Sequence, residues 1–106
     1  DIVRIDGADR YETAANIAEW AWENGFANFE ITGVATGDDF ADALSGGAGI
    51  GSTGGVLLLT PRDEAHPACV GAITAHDDEI LGLMTFGGPN AISNAVYNQL
   101  MALLAF

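Results

Sequence analysis

Positive charge is almost absent from this chain. Its 106 residues include no lysine and three arginines against fifteen acidic residues, for a formal net charge of -12. A surface able to neutralise phosphates needs clustered Lys and Arg, so nucleic acid is excluded as a partner and an anionic membrane surface is disfavoured. One cysteine, Cys69, excludes an internal disulfide. Its neighbours Ala68, Val70 and Ile73 assign it to a core as a small apolar side chain. No apolar run approaches the ~20 residues of a membrane span, so no membrane insertion is expected. H-E-x-x-H, C-x-x-C and G-x-S-x-G are all missing, and no recognisable elbow surrounds Ser45. With no nucleophile set beside a base, no enzyme activity, cofactor or metal is expected. The sequence starts at Asp1 without a methionine or an apolar leader, and so reads as a module excised from a longer chain.

What is present suits a folded domain. Hydrophobic residues make up 49% of the chain, enough for one core, and residues 1–106 read as a single domain. Strand and helix signals alternate at short spacing. Val3 and Ile5 flank Arg4 as a short first strand. Asp9 is a good N-cap, with Glu12 three residues on as a variant capping box. From there Tyr11, Ala14, Ala15, Ile17, Ala18, Ala21 and Trp22 follow helical spacing up to Gly25. Phe29–Thr36 reads as a strand, Phe40–Ala48 as a helix capped by Asp38 or Asp39, and Val56–Thr60 as a strand covered on both faces. Ala65–Ala75 reads as a third helix, Ile80–Phe86 as a buried strand, and a C-terminal helix follows a Ser93 cap. The order β-α-β-α-β-α-β-α predicts an α/β fold: a single open, mainly parallel sheet with helices on both faces, a Rossmann-like or Toprim-like three-layer architecture.

Several motifs invite function. Gly49–Gly54 matches G-x-G-x-x-G, but it follows a helix and leads into a strand, whereas a dinucleotide fingerprint does the reverse. It reads as a turn. Asp38, Asp39 and Asp42 lie beyond the end of a strand, where open α/β sheets place their ligands. Helix capping explains them, and a divalent cation or a pairing of Asp42 with Arg4 or Arg10 are the functional alternatives. Gly87-Gly88 also follows a strand, either as a tight turn or as exposed amides for an anionic or hydroxyl-bearing ligand. His66 falls in a loop or first turn, and His76-Asp77-Asp78-Glu79 reads as a solvated connection.

Two of the three arginines, Arg4 and Arg10, sit six residues apart in Arg4-Ile5-Asp6-Gly7-Ala8-Asp9-Arg10-Tyr11-Glu12-Thr13-Ala14. This segment resembles the signature of the type 2 cell-wall-binding repeat (CWB2) of Gram-positive surface proteins. Ala35-Thr36-Gly37 with Phe40-Ala41-Asp42-Ala43-Leu44, then Val56–Thr60, then Gly87-Gly88 with Ala91-Ile92-Ser93, follow in the family's order over about residues 3–100. The family's Pro-Ile-Leu-Leu motif falls on Val56-Leu57-Leu58-Leu59, with valine in place of proline. The resemblance implies a non-catalytic, extracellular module on the wall or cell surface that anchors a secreted protein through an anionic secondary polymer. It also implies sibling modules, packed as trimers. Arg4, Arg10, Asp42, Leu57, Leu58, Leu59, Thr60, Gly87 and Gly88 are the positions it marks for polymer or inter-module contact. A structural module whose arginines join neighbouring modules is the main alternative, and a small-molecule-binding Rossmann-like enzyme a weaker one. With a body at -12, attraction to an anionic polymer has to be local.

Overall fold

The computed structural model describes residues 4–38, 46–47, 49–87 and 92–104. Helix α1 spans Arg10–Glu23. Asp9 is its N-cap in extended backbone, and its carboxylate accepts from the Glu12 amide at 2.8 Å. Glu12 reaches back to accept from the amide of Ala8 at 3.0 Å, one residue before the cap, a variant of the capping box.

Three strands follow, β1 at Ile31–Thr36, β2 at Val56–Thr60 and β3 at Gly82–Thr85. Helix α2, Pro67–Ala75, connects β2 to β3, and helix α3, Asn94–Met101, comes last. The strands form one open parallel sheet in the order β2-β1-β3, with Val34 opposite both Leu58 and Thr85. As the central strand, β1 is buried without a break from Thr32 to Thr36, as parallel sheets covered on both faces require.

Val34, Val56 and Leu58 face one side and join a core with Ala18 of α1, Cys69 and Ile73 of α2, and Val96 and Leu100 of α3. Each fully buried leucine, isoleucine or valine among them contributes about 1.5–3 kcal/mol. Burial also pushes the Cys69 thiol up to about 12, so it is an inert core residue. On the other face Ile50 lies directly over β1. A Cβ at Gly33 would fall 2.4 Å from Ile50 Cγ1 and 2.9 Å from Phe86 Cε2, so only glycine admits this approach. Because residues 49–51 are helical, helices cover both faces, as expected.

Some expectations need correction. Arg4 to Gly7 is irregular, not a strand; the Asp6 carbonyl accepts from the Asn16 side chain at 2.8 Å. Val3 lies outside the described residues, as does most of the helix expected over Phe40–Ala48. Ile17 and Trp22, which share the helical spacing of the apolar residues of α1, are 48% and 39% exposed. The G-x-G-x-x-G stretch is the helix-to-strand turn expected: helical through Gly51, it turns into the amino end of β2 with the Gly54 amide on the Gly51 carbonyl at 3.2 Å.

Candidate functional site

The carboxyl edge of the sheet gathers the polar chemistry. There β1 runs into Gly37–Asp38 and β2 into the loop from Pro61 to His66. Helices α1, α2 and α3 begin at this edge, each with a side-chain cap. His66 caps α2, its Nδ1 accepting from the Ala68 amide at 3.0 Å. The ring proton therefore sits on Nε2, which donates to Asp9 Oδ2 at 3.2 Å. The Ser93 hydroxyl caps α3, accepting from the Val96 amide, while the Ser93 amide donates to the Arg62 carbonyl at 2.9 Å. Three helix N-termini, each with partial positive charge, are thus tied together by hydrogen bonds.

Gly37–Asp38 is the hub. The Arg10 guanidinium donates to the Gly37 carbonyl, and the Tyr11 hydroxyl donates to Asp38 Oδ1 at 3.3 Å. The Arg62 amide donates to Asp38 Oδ2 at 3.3 Å, and its guanidinium donates to Asp63 at 2.6 Å. The Tyr11 ring stacks on His66 with centroids 4.5 Å apart. It also lies over Gly37, where a Cβ would fall 2.4 Å from Tyr11 Cε1 and 3.2 Å from Arg10 Cδ. The absent side chain at Gly37 is what seats the first turn of α1 on the end of β1.

The charges follow from these contacts. The Glu12 amide holds the Asp9 carboxyl below the usual range, with help from His66. Partial burial, and then the Asp38 carboxylate, push the Tyr11 phenol up. Among the described residues, no group of three or more His, Cys, Asp or Glu is arranged to hold a metal ion.

The residues marked in the sequence scatter around this hub. Arg10 is part of it. Arg4 is 89% exposed and pairs loosely with Asp6 at 3.8 Å, a contact worth little in water. Leu58 is wholly buried in the core, and so is Thr60, whose hydroxyl donates to the Glu64 carbonyl and accepts from the His66 amide. Of that strand only Leu57 and Leu59 have surface to offer. They line an apolar groove of about 270 Å³ along α1, with Ala14, Ile17 and Ala21. Gly87 is exposed beyond the end of β3. Asp42 and Gly88 lie outside the described residues.

Sequence reasoning missed Arg62 and gave no role to His66. Arg62 follows Thr60-Pro61 at a strand end, so the rule that marked Asp38 also marks it. His66 precedes a proline that opens a helix, which is an N-cap position.

Residues 4–97 of the chain match the family model described as cell wall binding domain 2 (CWB2). No curated protein and no solved structure matches the chain at a significant level.

Proposed function

The chain belongs to the cell wall binding domain 2 (CWB2) family, and from that premise we propose that it is a non-catalytic module anchoring an extracellular protein to an anionic wall polymer at the carboxyl edge of its sheet. One observation carries the reading: the Arg10 guanidinium closes on the Gly37 carbonyl, and Arg62 is bonded to Asp38 through its backbone amide with its guanidinium on the adjacent Asp63, so two of the three arginines flank the Gly37–Asp38 hub. That edge is where open parallel sheets bind ligands, and three helix N-termini add partial positive charge to it. The nearby carboxylates Asp9, Asp38 and Asp63 suit hydroxyl groups, so a sugar backbone bearing anionic substituents fits the mixture. The exposed Arg4, and the backbone at Gly87 beyond the end of β3, are further candidates for polymer contact.

Retention on isolated cell walls tests this. Arg62→Gln keeps the backbone bond to Asp38 while removing a charged donor. Together with Arg4→Gln it should weaken retention about tenfold, the loss expected for one or two charge-assisted hydrogen bonds. Walls stripped of their secondary polymer should bind neither protein. Equal retention of the variant, or retention on stripped walls, would rule the reading out.

A second reading is favoured by the groove along α1. Leu57 and Leu59 are half-buried beside an exposed Ile17, an apolar surface suited to a sibling module. If that surface joins modules, sedimentation velocity of the chain at high concentration should show self-association that Leu59→Glu abolishes. A monomer at every concentration would count against it.

A further inference from the structure

The two histidines bridge the same pair of helices. His66, at the start of α2, meets Asp9 at the start of α1, and His76, at the end of α2, meets Glu19 near the end of α1. Each pair spans 57 positions, so the two helices run side by side in the same direction with one rung at each end. Between the rungs Ala18 packs with Cys69, Ala72 and Ile73 on the inner side, while the outer side of the seam is open. A groove of about 400 Å³ separates Glu12, Asn16 and Glu19 of α1 from the small residues Ala68, Gly71 and Ala75 of α2.

The rungs differ in the protons they need. His66 accepts a backbone bond at Nδ1 and donates at Nε2, the pattern of a neutral ring. His76 faces a carboxylate at both nitrogens: Glu79 Oε2 lies 2.6 Å from Nδ1, and Glu19 Oε1 lies against Nε2. A neutral imidazole would turn a lone pair onto one of those carboxylates. Only the doubly protonated ring donates to both. The surroundings favour that form. His76 is the C-cap of α2, at the negative end of the helix dipole. Its ring lies flat on Phe29, with centroids 3.7 Å apart at 4°, and the Trp22 edge contacts it at 4.7 Å. Glu19 from α1 and Glu79 from the turn after α2 are the charged groups that meet the ring, with Asp77 and Asp78 adjoining in the same turn. The Phe29 segment offers it an uncharged face.

The geometry points to His76 as a proton-operated latch: protonated, it clamps the C-terminal half of α1 to α2, and loss of its proton to solvent releases Glu19 or Glu79 and loosens that end. Burial opposes the charge, but the two carboxylates outweigh it and hold the proton above the ordinary histidine range. Since the folded value is raised, the stabilisation is complete below the ordinary value and fades as pH rises through the folded one. The carboxyl edge, held by the His66 rung and the Gly37 hub, is not part of the latch. This inference is therefore independent of the polymer reading.

Histidine ring NMR on the whole chain, with His76 assigned by His76→Gln, tests the latch directly. His76 should titrate above the ordinary value of about 6.5, with both ring protons present below that transition. In a Trp20→Phe background, Trp22 emission should be quenched in acid and rise through the same transition. Glu79→Gln leaves the ring and its stack in place, and should lower the titration by about one pH unit. Glu19→Gln should do the same. The thermal stability that wild type loses as pH rises past the ordinary histidine value and through the folded one should shrink in both variants, while the general effect of acid on net charge remains. Titration at or below the ordinary value would overturn the latch. So would glutamine variants that leave it unmoved, or Trp22 emission and melting temperature that ignore it.

Discussion

At the scale of single residues, the pairing of Arg10-Tyr11 with Gly37 matters most. These residues lie in motifs far apart in the sequence, and nothing in either motif says that they touch. In the fold, Tyr11 occupies the space a side chain at Gly37 would need, and Arg10 closes over the same carbonyl. Gly37→Ala should therefore cost about 1–3 kcal/mol through overpacking. Tyr11→Ala removes the obstructing ring, so the double variant should lose less than the sum of the two single losses, a coupling that denaturant melts of the four proteins would measure. Strict additivity would mean that the ring and the glycine do not share this space. The same contact gives Arg10 an intramolecular role beside any it has toward a ligand. Its neighbour Arg62 meets the same turn through its backbone amide, a bond that a glutamine in its place keeps.

At the scale of elements, what the sequence discloses depends on whether the cause is local. The box of Asp9 and Glu12, the Ser93 cap and the apolar run of β2 are local signals, and α1, the start of α3 and β2 form within a residue or two of their expected limits. Arg4-Ile5 carries the alternation of a strand but stays irregular, because a strand exists only against a partner and the Asp6 carbonyl is taken by Asn16 instead. His76-Asp77-Asp78-Glu79 reads as solvated from its composition, yet His76 is 5% exposed. Its burial depends on Glu19 and Phe29, each distant in the sequence, and on a need for both carboxylates that only the assembled helices reveal. The candidate site divides the same way. The rule for carboxyl ends of strands leads to Asp38 and Gly87 from sequence, whereas the joining of Arg10, Tyr11, Arg62 and His66 into one cluster requires the sheet order β2-β1-β3 and the placement of α1 along β2.

At the scale of the whole molecule, charge governs both stability and attachment. A net charge of -12 on 106 residues makes the folded state repel itself, and Arg4, Arg10 and Arg62 offset little of that. Screening shortens the reach of this repulsion from about 30 Å at 0.01 M salt to about 8 Å at 0.15 M, so added salt should raise the melting temperature by a few degrees. On the proposed reading the same repulsion opposes approach to an anionic polymer, while the arginine contacts proposed at the carboxyl edge would act only at close range. These two terms respond to salt in opposite directions. From very low ionic strength, retention on walls should first increase as the body is screened, and then fall as the arginine contacts themselves weaken. A basic module would lose affinity from the first addition of salt. Retention across a sodium chloride series therefore distinguishes a local grip on an otherwise repelled molecule from a broadly attractive surface, and a steep fall beginning at the lowest salt would contradict the local grip.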